Sequence, residues 1–160
     1  MLATVLFTDI VDSTKHLAAR GDADWHHVLD HHDRMSRQLV EAHRGQIIKG
    51  TGDGILATFD GPGRAIQCAC GLSERVKSLG IEIRSGLHTG EVEVREDDIS
   101  GLAVHVAARI MQSANPNEVL VSKIVSDLVA GSAAFEFNER EDGIFKGLSG
   151  SWQLLAASMN

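Results

Sequence analysis

The segment from Gln46 to Phe59 constrains this chain more than any other. Two short apolar runs, Gln46 to Lys49 and Ile55 to Phe59, are joined by Gly50-Thr51-Gly52-Asp53-Gly54. A five-residue connection with three glycines reads as a hairpin turn with Asp53 at its tip. Helical periodicity flanks it on both sides. Trp25, Val28, Leu29, Met35, Leu39 and Val40 recur at helical spacing from Asp24 to about His43, with Arg44-Gly45 as the stop signal. Beyond Asp60 and Pro62, the residues Ala65, Ile66, Ala69, Leu72, Val76 and Leu79 form the stripe of a second long helix ending at Gly80. A hairpin between two helices requires antiparallel pairing, which excludes the regular alternation of a doubly wound sheet.

The rest of the chain extends this pattern. Residues 2 to 8 are an apolar run ending at Asp9, as in a buried strand that delivers a carboxylate at its tip. Asp12, Ser13 and Thr14 then supply capping groups for a helix. Ile81 to His88 alternates, and Thr89-Gly90 followed by Glu91 to Val94 predicts a second hairpin. A helix over 101–113, a strand over 118–121, a short helix over 122–129 and strands near 134–137 and 151–156 complete the expected elements. The order is that of an α+β domain with a ferredoxin-like, palm-type sheet, mixed and largely antiparallel. No repeat or linker divides residues 1–160, so a single domain is expected. A strand that begins right after Met1 fits a compact protein or a catalytic piece that has lost an N-terminal regulatory domain.

Charge and composition narrow the partners. With 22 acidic and 15 basic residues the net charge is −7, which gives no general attraction for nucleic acid polymers or anionic lipid. Five Phe, two Trp and no Tyr make a poor base-stacking surface. No apolar run reaches the roughly 20 residues of a membrane span, and no signal peptide opens the chain. Cys68 and Cys70 fall on different faces of a helix and suit free thiols, so a cytoplasmic protein is expected.

Asp9 and Asp53 both sit at strand ends, and they become neighbours if the first strand pairs beside the hairpin. Two such carboxylates could hold hard divalent cations; a helix cap at Asp9 and a turn residue at Asp53 are the alternatives. Lys49 and Asp98 supply a donor and an acceptor, as an adenine edge requires, although each also suits a solvated position. His105 and Arg109 are four apart on one helix face, where Arg109 could stabilise charge on a phosphoryl group or simply face solvent. His26, His27, His31 and His32 contain one i, i+4 pair but no convincing third ligand, and the group reads as an exposed helix surface.

Four blocks, in order, carry a resemblance: Phe7-Thr8-Asp9-Ile10-Val11, Lys49-Gly50-Thr51-Gly52-Asp53-Gly54, Gly86-Leu87-His88-Thr89-Gly90-Glu91-Val92, and Asp98-Ile99-Ser100-Gly101 with Val104-His105-Val106-Ala107-Ala108-Arg109-Ile110. Over nearly its whole length the chain resembles the catalytic domain of class III nucleotide cyclases, and in particular the bacterial subgroup familiar from mycobacteria. The resemblance implies that Asp9, Asp53 and the carbonyl of Ile10 bind two Mg²⁺ or Mn²⁺ ions. It implies that Lys49 and Asp98, with Ile99 beside them, select adenine, and that Arg109 stabilises the transition state. His105 stands where the family usually has Asn, and Lys146 is the candidate for a triphosphate-binding lysine. The implied reaction converts ATP to cyclic AMP and pyrophosphate as the ribose 3′-hydroxyl, made more acidic by one ion, attacks the α-phosphorus. The family also implies a homodimer whose two equivalent sites each draw on both subunits. Relaxed choice between ATP and GTP, or a silent cyclase-like module that regulates an attached partner, are the alternatives; a diguanylate cyclase lacks support because its Gly-Gly-Asp/Glu-Glu-Phe signature is missing.

Overall fold

The computed structural model describes residues Met1–Asn160. Its elements are β1 (Leu2–Ile10), α1 (Ser13–Arg20), α2 (Asp22–Ala42), β2 (Gln46–Gly50), β3 (Ile55–Phe59), α3 (Pro62–Arg75), β4 (Ile83–Glu91), β5 (Glu93–Arg95), β6 (Asp98–Ser100), α4 (Leu102–Ser113), β7 (Val119–Ser122), α5 (Lys123–Leu128), β8 (Phe135–Glu139) and β9 (Leu154–Met159). Seven strands form one sheet in the order β2-β3-β1-β4-β7-β9-β8. Only β4 and β7 pair in parallel, through the α4 crossover, so the fold is α+β with a mixed, mostly antiparallel sheet.

Alternation along the strands divides the side chains between two faces. On one face Leu6, Ala57, Phe59, Leu87 and Val121 pack against Val40 of α2 and Ala65, Ile66 and Ala69 of α3. On the other, Ala3, Val5 and Leu56 pack against Ala103 and Ala107 of α4, against Val92 just before β5 and against Ile99 of β6. The spacing of Gly86 and Gly90 explains how α4 gets so close. Both lie on the α4 side of β4. A Cβ at Gly86 would strike the backbone nitrogen of Met111, and one at Gly90 would press on the Ala103 Cβ at 3.0 Å.

Three expectations are corrected. The Thr89-Gly90 turn does not form. β4 runs on to Glu91 because its backbone stays paired with Ala3 and Leu2 of β1, and the Thr4 and Thr89 hydroxyls share a 2.8 Å hydrogen bond. The small hairpin is formed later, by β5 and β6, turning at Glu96 with φ 51°. Asp12 precedes α1 but does not cap it with its side chain; it takes a left-handed conformation, φ 56°. His32 is not exposed with its neighbours but fully buried, because it follows Val28 by four residues on the inner stripe of α2.

Cys68 and Cys70 are free thiols, and burial pushes them up to about 12 and about 11 respectively. His88, on the α4 side of β4, shares a 2.7 Å hydrogen bond between its Nδ1 and Ser122 Oγ and meets Trp152 edge-on at 5.5 Å. Burial lowers its pKa from 6.5 to about 4. The unfolded chain therefore takes up this proton first as pH falls, and stability should drop between about pH 6.5 and 4, by on the order of 2 to 3 kcal/mol. Urea unfolding of wild type and His88→Gln across this window should show a shallower pH dependence in the variant; identical slopes would remove His88 as the cause.

Candidate active site

β1 pairs with β3, so the end of the first strand and the glycine loop lie side by side. Residues 53–55 are fastened to residues 8–10. The Ile10 amide donates to the Asp53 carbonyl at 2.9 Å, and the Ile55 amide donates to Thr8 Oγ1 at 3.2 Å. Ile10 buries its side chain beside Trp25, Val28 and Ile83, so its main chain is what borders the carboxylates. Ser13, in the first turn of α1, donates to Asp53 Oδ2 at 2.9 Å.

Burial raises the Asp9 carboxyl above its ordinary 3.8, the Arg84 guanidinium opposes that rise, and the adjacent Asp53 adds to it. Asp9 Oδ1 is buried and has no hydrogen-bond partner. Two neighbouring carboxylates with one desolvated, unpartnered oxygen are a donor set suited to a hard divalent cation. No third His, Cys, Asp or Glu joins them, so backbone carbonyls, water or substrate oxygens would complete the coordination shell.

Lys49 and Asp98 also come together, although 49 residues separate them. Lys49 Nζ donates to Asp98 Oδ2 at 2.9 Å, and the Ile99 amide holds the other carboxylate oxygen at 2.8 Å. Hydrogen bonding from Lys49, then from the Ile99 amide, keeps the Asp98 carboxyl below its ordinary value. On α4, His105 is exposed and Arg109 half-buried, with Arg109 donating to Gln112 Oε1 at 3.2 Å. Lys146 is exposed and follows Phe145, which is buried with Val106 and Ile110 of α4. Lys146 thus sits on a segment anchored to the helix that carries Arg109. Neither Arg109 nor the Lys49–Asp98 pair touches the Asp9 and Asp53 carboxylates within the chain.

Arg84 is the residue that reading the sequence misses. It lies opposite Asp9 in the β1–β4 register and donates from Nη2 to Asp9 Oδ2 at 2.5 Å, while Nη1 donates to the Gln112 carbonyl at 3.1 Å. Its only signal is the lone arginine of β4, on the same face as Gly86 and His88.

This combination of a mixed sheet, a carboxylate-bearing hairpin and a helix laid on strand glycines has the architecture of a nucleotide cyclase catalytic domain. The structure superposes on the adenylyl cyclase CyaB from P. aeruginosa with a TM-score of 0.89 at 20% identity, covering 98% of this chain and 93% of that one. It superposes on the guanylate cyclase domain of RhGC from Catenaria anguillulae, in complex with GTP, with a TM-score of 0.86 at 20% identity, covering 99% and 96%. Residues 2–155 match the adenylate and guanylate cyclase catalytic domain, and the chain belongs to that family. It is 30% identical over 145 residues to a Rhizobium meliloti protein named "Putative adenylate cyclase 3", covering 85% of this chain. The chain spans only 24% of that relative's length and 45% of the next curated relative's. No helix is long and apolar enough to cross a membrane.

Proposed function

We propose that this chain is an adenylate cyclase that forms 3′,5′-cyclic AMP and pyrophosphate from ATP, at two equivalent sites shared across a homodimer. The observation that carries the choice of base is the 2.9 Å contact between Lys49 and Asp98. Adenine accepts a hydrogen bond at N1 and donates one from its 6-amino group, which suits an ammonium beside a carboxylate. Guanine reverses that order at the same two positions. Asp98 is fixed by the Ile99 amide, so the acceptor side of the pair cannot readily move.

In the reaction the ribose 3′-oxygen bonds to the α-phosphorus, the bond from that phosphorus to the pyrophosphate oxygen breaks, and the hydroxyl proton passes to solvent. Asp9 and Asp53, with the Ile10 carbonyl, would hold two divalent cations, whose chemistry when bound would be charge neutralisation at the reacting phosphate. Arg109 of the other subunit would place positive charge where the oxygens around the five-coordinate phosphorus gather negative charge in the transition state. His105, one turn earlier and exposed, would supply a hydrogen bond to the ribose or phosphate, and Lys146 is the candidate for the lysine that binds the triphosphate.

Relaxed choice between ATP and GTP is a second reading, favoured by the exposure of the Lys49 side chain at 49%, which leaves the ammonium free to swing. Chromatography of products after incubation with ATP or GTP, under Mg²⁺ or Mn²⁺, separates the two. Cyclic AMP from ATP, with kcat/KM at least about tenfold above that for GTP, is expected. Lys49→Ala should lower kcat/KM for ATP by about 10- to 100-fold, the loss of one charge-assisted hydrogen bond. Equal or faster turnover of GTP overturns the adenine assignment, and no cyclic product from either nucleotide overturns the enzyme.

A further inference from the structure

We infer that Arg84 is a built-in counter-ion of the carboxylate pair: it stands at Asp9 where a divalent cation would bind, and the cation must displace it. The inference rests on reading Asp9 and Asp53 as cation-binding residues.

The geometry is that of a placeholder. Arg84 and Asp9 are cross-strand neighbours, so the ladder delivers the guanidinium to this carboxylate whatever the side chains nearby. Their side chains are 28% and 19% exposed, against 49% and 52% for Lys49 and Asp98. Water therefore screens the Arg84–Asp9 pair far less than the Lys49–Asp98 pair. Yet the pair is incomplete. Arg84 uses Nη2 on Asp9 Oδ2 and Nη1 on the Gln112 carbonyl, while its Nε is buried without an acceptor. Asp9 Oδ1 is likewise buried without a donor. A guanidinium settled for structural reasons would close the two-bond fork on the carboxylate; here each partner keeps one desolvated atom unpaired.

The charges give this a consequence. Two adjacent carboxylates carry two negative charges when ionised, and Arg84 offsets one of them. A divalent cation approaching Asp9 meets a positive group already on one of its two oxygens. Cation binding without nucleotide is therefore weak, because it includes the work of moving Arg84 off Asp9. When it moves, its bond to the Gln112 carbonyl at the end of α4 keeps the guanidinium at the edge of the site.

The test is Mn²⁺ binding to the nucleotide-free protein, read from the loss of the free-ion electron paramagnetic resonance signal, with wild type, Arg84→Gln, Arg84→Lys and Asp9→Asn compared. Arg84→Gln should bind Mn²⁺ at least about tenfold more tightly than wild type, Arg84→Lys close to wild type, and Asp9→Asn far more weakly. Binding by Arg84→Gln that is equal to or weaker than wild type, with Asp9→Asn still defective, overturns the counter-ion and leaves the cyclase reading standing. Mn²⁺ binding that is indifferent to Asp9→Asn overturns both. If Arg84→Gln does not fold, as judged by circular dichroism, the measurement moves to wild type labelled with ¹⁵N-arginine. The Arg84 Nε–H resonance should then shift as Mg²⁺ saturates the site, and an unmoved resonance at saturation overturns the inference.

Discussion

Asp9→Ala and Arg109→Ala chains, each nearly inactive alone, should regain about a quarter of wild-type specific activity when mixed in equal amounts and allowed to re-associate. The fraction follows from symmetry: random pairing makes half of the dimers heterodimers, and each of these holds one intact site of two. The structural reason to expect shared sites is that one chain carries both sets of groups without joining them. Asp9 and Asp53 sit where β1 meets the glycine loop. Arg109 directs its guanidinium to Gln112, and Lys49 directs its ammonium to Asp98. Beside these groups, Val94 is 56% and Leu102 60% exposed, so apolar surface flanks the Lys49–Asp98 pair and the start of α4, as an interface between copies would require. Each single variant should lose at least about a hundredfold in kcat, the scale of losing one group that stabilises developing charge. Heterodimers captured through two different tags and still inactive would sink the shared site.

The same residues show where local signals suffice and where they do not. The 46–59 hairpin is legible because glycine and turn chemistry act within a few residues, and Asp53 comes with it. Thr89-Gly90 carries the same kind of signal and is overridden by pairing with β1, a partner more than 80 positions away in sequence. There the two glycines of the motif serve the approach of α4, not a turn. Arg84 is illegible for a related reason: its meaning lies in Asp9, across a strand ladder that single-sequence periodicity does not reveal. His32 is readable in principle, since Val28, His32 and Ser36 lie four apart on the buried stripe of α2, but three exposed histidines beside it suggest a common surface. Lys49 and Asp98 have residue types suited to adenine yet nothing local to pair them. Only the resemblance joins them, and their 2.9 Å contact gives that pairing a physical form.

Gly54→Ala should abolish most activity, at least about a hundredfold in kcat, even though Gly54 bears no functional group. A Cβ there would collide with the carbonyl oxygen of Thr8 and crowd its carbonyl carbon and the Cα of Asp9. All three are backbone atoms of a central strand paired on both sides, so the loop must yield and β1 cannot. The displacement falls on the bonds that place Asp53, namely the Ile10 amide to the Asp53 carbonyl and the Ile55 amide to Thr8 Oγ1. A shift of about 1 Å in a group that positions the reacting centre is enough for a hundredfold loss. Forcing one extra methyl into this packing also costs about 1 to 3 kcal/mol, so the thermal midpoint should fall by several degrees while the variant still folds. Gly52→Ala is the control that separates two kinds of glycine requirement. Gly52 has φ +94°, and a methyl group added there would meet nothing within 4 Å, so its cost is left-handed strain of about 1 to 2 kcal/mol with no collision against β1. Its activity should stay within about tenfold of wild type. A Gly54→Ala enzyme with kcat within about threefold of wild type would show that the approach of the hairpin to β1 does not set the position of Asp53.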